Sequence, residues 1–135
     1  MLRWGPGPPS RIAVRLERTY PLVVSDLVNK YQKLVEQHPS SELARFSLAK
    51  ALFDAGDYGL AAEHFRIALD RKPDWMVAHI LVGRCHLALG DRARAREAFE
   101  RARQLAIAQD HEGPLSEMEE ALRQLQSEPG RQDCA

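Results

Sequence analysis

Residues 54–74 read DAGDYGLAAEHFRIALDRKPD, and residues 88–108 read ALGDRARAREAFERARQLAIA. Each stretch holds Gly-Asp, then Ala four positions after the Asp, Phe four after that and Ala three further on, and the copies lie 34 residues apart. Spacings of four and three put the Ala, Phe and Ala on one face of a helix. Gly tolerates the left-handed backbone that ends a helix, and Asp accepts the unpaired N–H groups that begin one. Each copy therefore encodes the junction of two helices, the second with a small–bulky–small apolar face. Laying 42–75 over 76–109 gives seven identities: Ala44/Ala78, Gly56/Gly90, Asp57/Asp91, Ala61/Ala95, Glu63/Glu97, Phe65/Phe99 and Ala68/Ala102. Phe46/Ile80, Leu48/Val82, Lys50/Arg84 and Phe53/Leu87 add similar pairs.

Working outward, Pro21 is well placed to open a helix, Leu27, Tyr31, Leu34 and Val35 recur at helical spacing, and Pro39 stops the run. Ser40 or Ser41 caps the next helix, which runs to about Ala55; Gly56 ends it and Asp57 starts another that stops before Pro73. Asp74 is expected to cap a helix ending at Gly90, and Asp91 one ending near Gln109. The stretch DHEGP interrupts the chain. After it Ser116 and Glu119 read as a capping box, and Leu115, Met118, Leu122 and Leu125 as an apolar stripe. Six helices joined by short turns imply antiparallel neighbours, an all-α architecture.

Residues 1–20 carry Pro6, Pro8 and Pro9 beside Gly5 and Gly7, which excludes a continuous helix, and Ile12, Val14 and Leu16 alternate as in a strand that has no partner. We expect a disordered or loosely docked tail there. Its arginines equally suit an organelle presequence or a leader from an upstream start codon. The tail over 128–135, EPGRQDCA, is expected to fray.

Composition bounds the function. Lys and Arg number 19 against 19 Asp and Glu, so the chain is formally neutral and offers no electrostatic case for nucleic acid. Charge is uneven: in residues 1–22 four arginines face one glutamate, a net +3 that leaves −3 for the remainder. No apolar run is long enough to span a membrane, and Cys85 and Cys134, without a C-x-x-C spacing, read as reduced thiols. A cytoplasmic location is the expectation.

A 34-residue period of helical hairpins resembles the tetratricopeptide repeat family. Leu48, Ala49, Leu52, Gly56, Tyr58, Ala61, Phe65, Ala68 and Pro73 fall on its signature positions in repeat 42–75. Val82, Gly83, Gly90, Ala95, Phe99 and Ala102 do so in repeat 76–109. The departures are Arg45 and His79 where the family often has Trp, His86 where Tyr is common, and Ile107 in place of the closing Pro. Residues 22–39 resemble the second helix of a degenerate earlier repeat, and residues 114–127 a solvating helix over the last one. The resemblance implies a right-handed α-solenoid over 21–127. It also resembles, as a whole, small bacterial proteins of two repeats plus a closing helix. Ala49, Gly83, Ala61, Ala95, Ala68 and Ala102 are small so that helices can cross closely. Phe65 and Phe99 fill the wedges between pairs, each worth about 3–5 kcal/mol if truncated to Ala.

In such a stack the first helix of each repeat lines the concave side. Leu43, Phe46, Lys50 and Phe53 form one stripe, repeated 34 later as Val77, Ile80, Arg84 and Leu87. These are the candidate partner-binding residues, with Lys50 and Arg84 as a two-rung basic ladder suited to a peptide or protein bearing an acidic group or a C-terminal carboxylate. Either the stripe is open to a ligand, or flanking helices cover its apolar members and leave only Lys50 and Arg84 wet. Tetratricopeptide co-chaperones grip a terminal carboxylate with a Lys/Asn/Arg clamp. The matching positions here hold Leu43, Phe46, Ser47 and Lys50, then Val77, Ile80, Leu81 and Arg84, with no Asn, which argues against a receptor of that type.

No catalytic or metal constellation emerges. His38, His64, His79, His86 and His111 lack ligand spacings, Cys85 has no assignable base or oxyanion donor, and GPGPP is too proline-rich to cradle a phosphate. Glu63–Arg66 and Glu97–Arg101 have the spacing of surface ion pairs. The arginines of GDRARAREAFERAR point several ways around a helix and alternate with Glu97 and Glu100, a solvated face rather than a nucleic-acid patch. The reading is a non-catalytic interaction scaffold without cofactor. The alternative is a self-associating subunit, a homodimer, that uses the same apolar surfaces.

Overall fold

The computed structural model describes residues 22–127, and every regular element among them is a helix. They are α1 (Leu22–Gln37), α2 (Glu42–Asp54), α3 (Tyr58–Arg71), α4 (Met76–Ala88), α5 (Arg92–Ala108) and α6 (Glu112–Ser127). The tails expected over 1–20 and 128–135, and Cys134, lie outside the described residues.

Two kinds of turn alternate. Within a hairpin, Gly56 (φ 85°) and Gly90 (φ 84°) take the left-handed conformation. The Gly56 N–H donates to the Phe53 carbonyl (3.0 Å) and the Asp57 N–H to Leu52 (2.9 Å); Gly90 donates to Leu87 (3.1 Å) and Asp91 to His86 (2.8 Å). These bonds help satisfy the last carbonyls of each helix at the turn. Between hairpins, Pro39 and Pro73 stop α1 and α3, because proline clashes with continued helix on its N-terminal side. Ile107 stands where the next such Pro would fall. Nothing stops α5 there, and it runs for 17 residues against 14 in α3. It ends instead on Asp110 (φ 62°), with Asp110 N–H donating to Ile107 (3.2 Å) and His111 N–H to Ala106 (2.9 Å). An Asp thus performs the glycine's part at the last turn.

The end of α5 falls where expected, within one residue of Gln109, but the reading of the stretch after it is corrected. The capping helix begins at Glu112, not at 114, and Pro114 is absorbed into its first turn, where no N–H is needed. Ser116 and Glu119 are consequently interior to α6 and form no capping box. At the other starts, Ser41 Oγ accepts from the Ala44 N–H (3.1 Å) and Asp91 Oδ1 from the Arg94 N–H (3.1 Å), and Asp57 holds the N-cap of α3. The N-cap of α4 is Trp75 rather than Asp74: its extended backbone lets the indole lie flat on Phe46, ring centres 4.4 Å apart.

Packing proceeds along the chain, each helix resting mainly on its sequence neighbours. α4 is apolar nearly all round because it is shared between two cores. Ala78, Leu81 and Cys85 face the first, with Val35, Leu48, Ala49, Leu52 and Phe65. Met76 and Ile80 face the second, with Phe99, Leu105, Ala106, Met118 and Leu125. Phe65 and Phe99, at 0% and 2% exposure, are the wedges of these two cores. Leu115 and Leu122 of α6 lean on the second core and shield it from water.

Gly83 marks a close approach of α4 and α5. A Cβ there would stand 2.4 Å from Cε1 and 2.5 Å from Cδ1 of Phe99. The corresponding position in the first repeat is Ala49, also fully buried. Gly83→Ala gains roughly 1 kcal/mol of helix propensity. Overpacking against a buried ring outweighs that, and we expect a net loss of about 1–3 kcal/mol in urea unfolding. Adding Phe99→Leu should make the double variant less destabilised than the sum of its parts; strict additivity would contradict the contact.

Candidate functional site

The stripe residues share one side of α2 and α4, but the fold treats them unequally. Leu43 (64%), Val77 (44%) and Leu87 (42%) are exposed apolar side chains. Phe46 and Phe53 are half-buried: Phe46 lies between Trp75 and the edge of Phe65 (5.4 Å), and Phe53 meets Tyr58 edge-on at 5.4 Å. Ile80 is buried in the second core, so the stripe's apolar surface is carried by its other members. The open and the covered alternatives are thus both partly realised.

The basic ladder is wet, and both of its rungs are occupied. Lys50 Nζ lies 3.0 Å from both carboxylate oxygens of Asp54, one turn on. Arg84 is ion-paired with Glu117, which comes from α6. The sequence signal for the second pair was the position of α6: it follows α5 as α4 follows α3, and so stands beside α4. The pairs anticipated at Glu63–Arg66 and Glu97–Arg101 do not form. Beyond the ladder, ion pairs link Asp91–Arg94, Glu100–Arg103 and Glu120–Arg123.

A feature absent from the sequence reading lies on the opposite side of α4. There a groove of about 930 Å³ runs between α3 and α5, floored by His79, Val82 and His86 and walled by Glu63, Arg66, Glu97 and Arg101. His79 Nε2 donates to the Pro73 carbonyl at 2.9 Å, tying α4 back to the turn that precedes it. Arg45, 34 residues earlier, reaches the equivalent Pro39 carbonyl at 3.5 Å and His64 Nδ1 at 3.4 Å. Burial is the main cause holding the pKa values of His64, His79 and His86 below the usual histidine range, with Arg45, Arg101 and Arg94 respectively adding to it. Cys85 is fully buried and burial pushes its thiol up to about 12, so it is a protonated core filler. Among the described residues no group of three or more His, Cys, Asp or Glu converges as metal ligands would, and no helix is long and apolar enough to cross a membrane.

The tetratricopeptide repeat family model matches residues 28–74 and 48–110. The chain belongs to the tetratricopeptide repeat family. Among its relatives is the TPR repeat-containing protein PA0015 of Pseudomonas aeruginosa, 33% identical over 93 residues that span 69% of this chain and 87% of that one. Of solved structures, protein BPP2914 from Bordetella parapertussis is similar at 29% identity and a TM-score of 0.67, over 76% of this chain and 89% of its own. PcrH, crystallised in complex with the chaperone binding region of PopD, shares the fold at 23% identity and a TM-score of 0.73, over 77% of this chain and 79% of its own. The six helices form a tetratricopeptide-like solenoid, an architecture that serves as a scaffold for protein–protein interaction.

Two measurements check these environments. The three histidines bind protons less readily folded than unfolded, so stability is full above the unfolded value near 6.5 and declines as pH falls from there toward the depressed folded values. Melting temperature should drop between about pH 7 and 5.5, and drop less in a His64→Gln/His79→Gln/His86→Gln variant; an equal drop would assign the effect to other groups. In a Cys134→Ser background, Cys85 should react with a thiol reagent only on unfolding, at a rate that rises with urea.

Proposed function

We propose that this protein is a non-catalytic scaffold that holds a segment of a protein partner on the concave face formed by α2 and α4. The observation that carries the reading is the exposure of Leu43, Val77 and Leu87 along one face beside Lys50 and Arg84. Scattered single apolar residues are ordinary on a surface; a row repeated at the 34-residue period, next to half-buried Phe46 and Phe53, is a ready-made apolar strip. A partner laid along it would cover the exposed leucines and valine and the rims of the two phenylalanine rings. The fold shared with PcrH, whose structure contains a bound region of PopD, supports a polypeptide ligand.

A second reading has its own support. Because Lys50 and Arg84 are each paired with a carboxylate of the same chain, the face is close to neutral, and a second copy of this protein could cover it as a homodimer.

Light scattering over a concentration series separates the two, since the scaffold is monomeric and the self-associating subunit is not. Capture from native lysate with Leu43→Asp/Leu87→Asp should lose whatever partner the wild type retains, whereas Arg66→Glu/Arg101→Glu, in the outer groove, should retain it. The opposite pattern would move the binding site to the outer groove.

A further inference from the structure

We propose that Asp54 and Glu117 set the specificity of the α2/α4 face, turning it toward apolar segments that carry no carboxylate; the inference rests on that face being the binding surface. The basic rungs look, in sequence, like receptors for an acidic group. In the folded chain each already holds one. Lys50 is bridged at 3.0 Å by both oxygens of Asp54, and Arg84 is held by Glu117 from the capping helix. The side chains of all four are about half exposed, so these are exchangeable surface pairs and not buried ones.

The consequence follows from exchange. A partner's carboxylate that reaches Lys50 or Arg84 either displaces the internal carboxylate, trading one exposed ion pair for another, or shares a cation whose charge is already balanced. While it does so it also confronts Asp54 or Glu117, a like charge. Tethering adds to the bias, because Asp54 sits one helical turn from Lys50 and Glu117 is carried on a helix packed against its neighbour. Apolar side chains meet no such competition at Leu43, Val77 and Leu87, whose exposed surface is removed from water on binding. Glu117 makes the capping helix more than a lid on the second core: it supplies a positioning contact that removes Arg84 from the pool of available cations.

The test uses short synthetic peptides of Leu, Ile, Ala and Ser, each made with a free C-terminal carboxylate and as the C-terminal amide, titrated against the full chain by fluorescence anisotropy at low and high salt. Wild type should bind the amide form of a given peptide at least as tightly as the carboxylate form, with little salt dependence. Asp54→Asn/Glu117→Gln, isosteric changes at exposed positions, should prefer the carboxylate form by about threefold to fivefold, the scale of one exposed ion pair. That preference should vanish at high salt. A wild type that already prefers the carboxylate form, or a double variant that acquires no preference, overturns the proposal while leaving the face a binding site. If no peptide binds, or if binding survives Leu43→Asp/Leu87→Asp, the α2/α4 face is itself not the site and the proposal falls with it. Circular dichroism confirms that each variant keeps its helices.

Discussion

The structure depends on how closely α4 and α5 can approach. Gly83 has no side chain because the Phe99 ring occupies the place where its Cβ would be. The ring is buried there, between the helix pair and the elements that follow. In the first repeat Ala49 and Phe65, both buried in one core, hold the corresponding positions, with one methyl group more. Dispersion contacts in such a crossing are individually small and are lost together if the helices separate, so the small and the bulky residue are a single requirement. The alanines at 61, 68, 95 and 102, buried without exception, extend that requirement along the rest of the interface.

A stack held in this way has an open end wherever it stops. α4 is covered on both sides because it lies between two cores, and α5 is followed by α6, the last of the described helices. The chain answers with α6, whose Met118 and Leu125 close the second core while its other face carries glutamates. The same helix reaches sideways to Arg84 through Glu117. Stability and surface chemistry are therefore coupled at the end of the solenoid: the element that keeps water from Phe99 also decides whether a cation on α4 is free. The turn that launches α6 shows similar economy, with Asp110 adopting the backbone conformation that Gly56 and Gly90 supply elsewhere.

The two sides of α4 differ in character for reasons that trace to single positions. On the stripe side, Val77 and Leu87 are exposed and Ile80 is drawn inward to the second core. On the other side, His79 and His86 floor a polar groove, and His79 spends its Nε2–H on the Pro73 carbonyl. Burial makes this histidine resist protonation, against the Pro73 hydrogen bond, which favours the charged ring, and the net effect gives the hairpin junction a dependence on mild acid that a Trp or Tyr in the same place would not have.

The helices, their order and the burial of Phe65 and Phe99 were legible in the residue string. They follow from local rules: a left-handed stop at Gly, a block at Pro, and an apolar face at spacings of three and four, repeated at a period that leaves little freedom of register. Local rules failed at DHEGP, read as an interruption, where α6 in fact begins at Glu112 and takes Pro114 into its first turn. The surface was less legible. Which of eight stripe residues would be wet, that Trp75 would lie on Phe46, and that Lys50 and Arg84 would each meet a carboxylate depend on side chains approaching from other helices or other turns. The amino-acid sequence by itself determined a duplicated helical hairpin, because periodicity and turn chemistry act within a few residues. Only the tertiary structure decided the electrostatic state of the candidate site, because the partner of Arg84 is 33 residues away along the chain and is brought to it by packing alone.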